Sequence, residues 1–372
     1  MIIIGADFVP TKSNQTLFQN GDTRALFGSA LERLLLQADF RIFNLEMPLC
    51  TARHPIAKTG ANLSAPPACA AAYRAIHTDL LTLANNHILD QDAAGLAETM
   101  DTLRQNEIAF VGAGDTAAQA AQPFCFQHGG KTIGVYACAE HEFSVVSAGR
   151  PGANPFDPLE SPDHVAALKR SCDYVIVLYH GGKEHYQYPS PQLRKTCRKL
   201  VEKGADLVVC QHSHCIGCEE KWNGGTIVYG QGNFLFDNSD RALWQTGLLV
   251  TVDANGAVDY IPVAKTGSTV TLAPEPQAKE ILDAFRQRSL AIRQDGFVER
   301  TYADFAREQI FTYLQAINGK HSVLYRALNR LSGYRLGAFL MQRRYGNGQR
   351  VLLQNYLECE TLRELILEGI RT

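Results

Sequence analysis

Leu80-Leu81-Thr82-Leu83-Ala84-Asn85-Asn86-His87 is a largely apolar run that stops on two carboxamides and an imidazole. Asn-Asn-His would serve a helix poorly at that point, whereas a buried strand can end there with polar side chains just past the core. At such a strand end the amide oxygen of Asn86 is a metal-ligand candidate, and His87 can act as an acid or charge clamp. Asp90, close behind, can accept the other ring N–H of His87 and orient it. Taken alone, the stretch also reads as an Asn-rich turn with a hydrogen-bonded His.

The pattern recurs along the chain. Asp7 follows Met1–Ile4, Glu46 follows Phe40–Phe43 through Asn44-Leu45, His180 follows Tyr174–Tyr179, and His212-Ser213-His214 follows Leu207–Val209. Each is weak singly, since a strand-ending Asp is often a turn or cap residue. Together they place polar groups where packing does not require them, at strand ends, which is where ligands bind in α/β folds. His212 and His214 share one side of an extended segment, because alternate residues do. Two carboxylates, an amide and several imidazoles suit Mn, Zn or Fe better than Mg or Ca alone. The set is large enough for two divalent ions, and two ions suit phosphoester hydrolysis. Gly181-Gly182, and Gly230 and Gly232 around Gln231, suggest close approach of backbone to a ligand, with Asn233 lining the pocket.

Strand-like and helix-like segments alternate to about residue 270, which predicts an α/β fold with a parallel or mixed sheet. Strands are expected at 1–5, 40–44, 79–84, 107–111, 132–138, 174–179, 206–210, 226–230 and 246–252. Helices are expected at 23–37, 66–75, 95–105, 163–171 and 191–203. The Pro- and Gly-rich stretches 140–160 and 181–190 read as long loops of the kind that cover active sites. After Pro274-Glu275-Pro276 the pattern turns helical, at 277–294, 301–317, 321–332, 335–344 and 349–369. A division into 1–272 and a helical extension 273–372 is expected. Residues 321–350 hold six Arg and no Asp or Glu, so this extension is either a solvated cap or a docking face for a partner, an anionic polymer or a membrane surface.

A formal net charge of −2 over 372 residues argues against a general nucleic-acid binder. No apolar run approaches the ~20 residues of a membrane span. Met1-Ile2-Ile3-Ile4 runs straight into Gly5-Ala6-Asp7 as a first core strand, so the expected location is the cytoplasm. The ten cysteines are scattered, which favours free buried thiols over a disulfide framework. Cys215 and Cys218 form a lone CxxC, read here as structural rather than as a zinc or redox site.

Taken together, Gly5-Ala6-Asp7, Asn44-Leu45-Glu46, Lys58 with Pro66, Leu83 to His87 with Asp90, His180-Gly181-Gly182-Lys183-Glu184 with Pro189, His212-Ser213-His214 and Gly232-Asn233-Phe234 resemble the CapA family. These are the capsule or poly-γ-glutamate synthesis proteins related to calcineurin-like metallophosphoesterases. The resemblance implies a four-layer αββα sandwich with a two-metal site between strand ends. It implies that Asp7, Glu46 and His214 serve one ion, and that Glu46, Asn86, His180 and His212 serve the other. His87, with Asp90, would assist phosphoryl transfer to water; Asn44, Lys58, Glu184 and Asn233 would contact substrate. Val9 stands where calcineurin-like enzymes often carry a His. The implied activity is a metal-dependent hydrolase, a phosphoesterase of cell-surface polymer metabolism acting on an anionic small molecule or polymer. Two alternatives are a non-catalytic, metal-binding assembly component docked to polymer-synthesis machinery, and a metal-dependent amide hydrolase of a γ-linked polymer. The helical extension offers a surface for a homodimer.

Overall fold

Strands buried on both faces must be apolar at consecutive positions, and Ile2-Ile3-Ile4 and Leu207-Val208-Val209 satisfy this without alternation. The computed structural model describes all residues except Ala52, Asn238, 318–322, 360–361 and 363–372. In chain order the strands are β1 (Ile2–Asp7), β2 (Phe40–Asn44), β3 (Leu80–Thr82), β4 (Ala109–Val111), β5 (Ala113–Gly114), β6 (Phe124–His128), β7 (Lys131–Ala139), β8 (Gly152–Ala153), β9 (Tyr174–His180), β10 (Leu207–Gln211), β11 (Glu219–Trp222), β12 (Gly225–Tyr229), β13 (Thr246–Val252), β14 (Val258–Thr266) and β15 (Thr269–Leu272). The helices are α1 (Gln15–Asn20), α2 (Thr23–Gln37), α3 (Ala70–Ala75), α4 (Asp92–Gln105), α5 (Ala117–Ala120), α6 (Ser161–Lys169), α7 (Pro191–Glu202), α8 (Glu275–Ala291), α9 (Phe297–Ile317), α10 (Val323–Leu331), α11 (Arg335–Arg344) and α12 (Asn347–Glu358).

One sheet has seven strands in the order β15-β14-β13-β1-β2-β3-β4, the other six in the order β11-β12-β10-β9-β7-β6. Strands β1 to β4 run parallel, as do β7, β9, β10 and β12. Side-chain alternation sorts each strand into two layers. Ile2, Ile4, Ile42 and Leu80 of the first sheet meet Val135, Ile176, Leu178 and Val209 of the second in one inter-sheet core. Ile3, Phe43 and Leu81 face the opposite way, onto Leu26, Phe27 and Leu31 of α2 and Leu96 and Leu103 of α4. In the second sheet Val175, Val177 and Val208 pack on Val165 of α6 and on Leu193, Cys197 and Leu200 of α7. The layers are therefore helix, sheet, sheet, helix, the expected αββα arrangement.

Four strands of the two large sheets escape the sequence pattern. β6 and β7 form a hairpin closed at Gly129-Gly130, whose φ angles of 57° and 75° are left-handed. β11 is a short antiparallel edge strand, Glu-Glu-Lys-Trp, too polar to register. Pro262 sits in the middle of β14 and reads as a break, yet it pairs with Leu248, and its carbonyl accepts from Ala273 N at 3.0 Å, beside β15. Eight of the ten cysteines are buried. Burial pushes the Cys215 thiol up to about 11, so the CxxC pair holds protonated core thiols.

The chain divides into two compact units, Met1–Glu299 and Arg300 onward. α8, which follows the expected boundary at 272, belongs to the first: Phe285 packs with Ile216 and Leu248. In the second unit, Asn329 of α10 is buried, and its side-chain oxygen accepts from Gly337 N of α11 at 2.7 Å. Arg326, Arg330, Arg335, Arg343, Arg344 and Arg350 are all exposed. Residues 321–322 of one expected helix, and 360–361 and 363–369 of the last, lie outside the described residues. Among the described residues no helix is long and apolar enough to cross a membrane.

Helix α7 starts where Ser190 accepts from Leu193 N at 3.0 Å and Pro191 takes the first helical position. Ser190→Ala should lower stability by about 1 kcal/mol, read as a shifted denaturation midpoint with unchanged slope.

Candidate metal centre

Register brings the polar strand ends to one place. Asp7 pairs with Asn44 across β1 and β2, beyond a bulge that follows Ile4, and His180 pairs with Gln211 across β9 and β10. These are the C-terminal ends of parallel strands from both sheets, so the site lies at the mouth of the inter-sheet core. His212 and His214 then turn inward with left-handed φ angles of 92° and 52°. Such backbone is unfavourable outside Gly and is held here by the surroundings. The turn is braced by Gly217, where a Cβ would lie 1.7 Å from the Tyr229 carbonyl oxygen.

Among the described residues two groups offer ligand atoms within 4.8 Å of one another: Asp7, Glu46 and His214, and Glu46, His180 and His212. Glu46 belongs to both. His180 Nε2 lies 3.3 Å from Glu46 Oε1, 3.2 Å from His212 Nδ1 and 3.1 Å from Asn86 Oδ1. His214 Nδ1 lies 3.2 Å from Asp7 Oδ2 and 2.8 Å from Asn233 Oδ1. Val9 is fully buried in the apolar core under α2 and offers no ligand.

The donor set fits divalent cations. Asp7 Oδ2 and both carboxylate oxygens of Glu46 are buried without a hydrogen-bond donor. Orphaned buried carboxylate oxygens are costly unless a cation meets them. Burial, reinforced by the Asp7 charge, pushes the Glu46 carboxyl well above the usual carboxylate range. Burial and then the neighbouring imidazoles pull His180 and His212 well below the usual range, leaving both neutral, the form that ligates. Burial also pulls His214 down, but the adjacent Asp7 carboxylate outweighs it, and His214 sits above the usual range.

A second cluster adjoins the first through Asn86. His87 Nδ1 is 2.6 Å from Asp90 Oδ2, and the imidazole is 18% exposed. Asp90 is fully buried; its Oδ1 accepts from Lys58 Nζ at 2.5 Å and its Oδ2 from Leu63 N at 2.6 Å. Lys58 Nζ also donates to the Asn86 carbonyl at 3.2 Å. With Nδ1 held by Asp90, His87 has Nε2 left for a reacting group.

Of the four residues expected at a substrate, three are bonded to the clusters themselves. Asn44 donates to Asp7 Oδ1 at 2.7 Å, Lys58 holds Asp90, and Asn233 meets His214. Glu184 stays at the rim, 43% exposed and 3.8 Å from His185. Packing alone requires glycine at 181 and 232: a Cβ on Gly181 would meet the Tyr179 ring at 2.5 Å, and one on Gly232 the Thr246 carbonyl at 2.7 Å.

The structure gives roles to further residues, one of them in the strand-end run itself. Asn85 donates to Asn44 Oδ1 at 3.1 Å and to the Leu45 carbonyl at 2.8 Å, tying β3's end to β2's. From the loop 140–160, Ser144 donates to the Asn86 carbonyl at 2.7 Å. Glu142 of the same loop stands at the entrance, accepting from Asn86 Nδ2 at 3.4 Å with its other oxygen 3.8 Å from His212 Nε2. Trp244 walls the opposite side, its ring 4.2 Å from that of His214 and its Nε1 donating to His185 at 2.8 Å.

The family model described as bacterial capsule synthesis protein PGA_cap matches residues 2–238. The PGA biosynthesis protein CapA of Bacillus subtilis (strain 168) is 28% identical over 219 residues, 57% of this chain and 55% of that protein. The capsule biosynthesis protein CapA of Bacillus anthracis is 26% identical over 195 residues, 50% of this chain and 47% of that protein. The chain thus spans about half the length of these curated relatives. The crystal structure of a novel phosphatase of Mycoplasma pneumoniae superposes with a TM-score of 0.44 at 15% identity, covering 72% of this chain and 94% of that one.

Proposed function

Because the chain belongs to the bacterial capsule synthesis protein family PGA_cap, we propose that it is a metal-dependent hydrolase, a phosphoesterase, acting in the metabolism of a cell-surface polymer. One observation carries this reading: three buried carboxylate oxygens without donors face imidazoles in two groups that share Glu46. Asp7, Glu46 and His214 would hold one divalent ion, and Glu46, His180, His212 and the Asn86 amide oxygen a second. Bound there, such ions supply charge neutralisation at an anionic substrate and a lowered pKa for water.

The chain's own groups do the rest. Asn44 and Asn85 hold the Asp7 carboxylate and the β2 end in place, so the acidic groups cannot swing apart. Asp90 fixes the His87 ring, so that Nε2 can give a proton to a leaving oxygen or donate a hydrogen bond to a developing charge. Lys58 balances the Asp90 charge and keeps that pair in register with Asn86.

The test is metal content of protein purified without chelator, paired with hydrolysis of aryl phosphate mono- and diesters after addition of Mn, Zn or Fe. About two ions per chain with turnover is the expected result. A metal-loaded protein that hydrolyses no ester would favour the assembly role, with the exposed arginines of the second unit as the groups to probe next.

A further inference from the structure

Strand β6 is the outer strand of the second sheet, and its residues alternate between two faces. Phe124 and Phe126 turn toward Phe40 of the first sheet, so Cys125 turns the other way, to the side where α6 packs. There it stands across from Gly134 of β7. Opposed residues of an antiparallel pair carry their side chains on one face, and Gly134 carries none. Other groups take that space: a Cβ on Gly134 would lie 2.8 Å from Leu168 Cδ1 of α6 and 2.9 Å from Cys172 Sγ. Cys172, in the turn between α6 and β9, thus reaches over bare glycine backbone, and its sulfur lies 3.7 Å from Cys125 Sγ.

The two thiols differ in access. Cys125 is exposed, unlike the other nine cysteines, and lines a cavity of about 610 Å³ with Ala118, Gln122 and His164. Cys172 is 6% exposed. An accessible thiol in contact with a buried one is the arrangement in which the first takes an incoming disulfide and the second resolves it. Cys197 and Cys210 provide a comparison inside the same molecule. Their sulfurs are 3.5 Å apart, but both are buried between β10 and α7.

We infer that Cys125 and Cys172 form a thiol–disulfide exchange site, in which Cys125 takes a small-molecule disulfide and Cys172 closes the pair into an intramolecular bond. Cys125 gives its proton to water, and its sulfur attacks one sulfur of the small disulfide. That S–S bond breaks, a mixed disulfide forms on Cys125, and one small thiolate leaves and takes a proton. Cys172 then loses its proton and attacks the Cys125 sulfur. The mixed disulfide breaks, the Cys125–Cys172 bond forms, and a second small thiol leaves. One small disulfide is reduced to two thiols, while the two protein thiols give up two electrons. The new bond ties the outer strand β6 to the α6–β9 turn, across 47 positions of the chain. Burial, and then the neighbouring Cys172, push the Cys125 thiol up to about 11. The attacking thiolate is scarce at neutral pH, so exchange should quicken about tenfold per pH unit below that value.

The test is incubation of the folded full chain with oxidised glutathione at neutral and alkaline pH, followed by alkylation and peptide mapping by mass spectrometry. Wild type is expected to give a Cys125–Cys172 linkage, with Cys197 and Cys210 still free to alkylate once the chain is unfolded. Cys172→Ser should stop at the first step and keep glutathione on Cys125. Cys125→Ser, which alters only the exposed partner, should form neither the adduct nor the linkage. Oxidised wild type should melt roughly 6 °C higher than reduced, a shift that dithiothreitol reverses. A glutathione adduct that persists on Cys125 of wild type, or a Cys197–Cys210 linkage formed in its place, would overturn the site. So would the absence of any reaction at Cys125 at alkaline pH. The site stands apart from the proposed function, since neither metal content nor turnover enters this test.

Discussion

Replacing Glu46 with Gln is expected to stabilise the metal-stripped protein and to abolish the stabilisation that Mn, Zn or Fe gives to wild type. Both halves follow from the same oxygens. Without metal, Glu46 is a buried carboxyl with neither oxygen hydrogen-bonded, pushed up by burial and by the Asp7 charge. Removing its charge relieves a destabilising burial. With metal, the shared carboxylate is the group both ligand sets need. A cation at about 100 times its Kd stabilises by about 2.7 kcal/mol, or roughly 4 °C of Tm for a unit spanning Met1–Glu299. That gain should vanish in the variant.

The pH dependence carries the same signature. A carboxyl whose folded pKa lies above its unfolded value binds more protons when folded. Metal-free wild type should therefore lose stability as pH rises from the ordinary carboxylate range through the raised value of Glu46. Glu46→Gln should lose that component of the slope. Calorimetric scans of stripped and metal-loaded protein between acid and neutral pH read both effects. A stripped variant less stable than stripped wild type, still stabilised by metal, would show that Glu46 is an ordinary structural residue.

His87→Ala should reduce hydrolysis of an aryl phosphate by about 10²–10⁴-fold with metal content unchanged. His87 belongs to neither ligand group, so the ions should stay. Its loss leaves Asp90 with Lys58 Nζ and Leu63 N, so no buried charge is stranded and the fold should hold. Asp90→Asn should give a smaller loss, because the ring remains but its orientation and proton affinity are no longer set by a carboxylate. Metal analysis beside kinetics separates the outcomes. Full turnover in His87→Ala would remove His87 from the chemistry, and a parallel fall in metal content would make it a ligand instead.

The parallel strands were legible because burial on both faces demands consecutive apolar residues, a pattern confined to a few neighbouring positions. Hence β1, β2, β9 and β10 could be read, and with them the polar residues that end each strand. β6, β11, β14 and β15 escaped because edge and antiparallel strands expose one face or tolerate a Pro, so their pattern is weaker. The loop 140–160 was recognisable as a loop, but nothing local marks Ser144 or Glu142 as site neighbours, and Lys58 was placed near the site only by the family resemblance. Their positions depend on where a flexible connection lands, on Asp90 and on Asn86.

The amino-acid sequence by itself determined which strands form the buried framework and which polar side chains sit at their ends, because both are consequences of short-range apolar patterning. Only the tertiary structure decided which end meets which. It made Glu46 common to two groups, turned Asn44 and Lys58 into supports for Asp7 and Asp90, and left three carboxylate oxygens without donors. Whether a buried oxygen is satisfied depends on every group that comes within hydrogen-bonding distance. Those groups arrive from strands of two different sheets, whose meeting is settled by packing across the whole molecule.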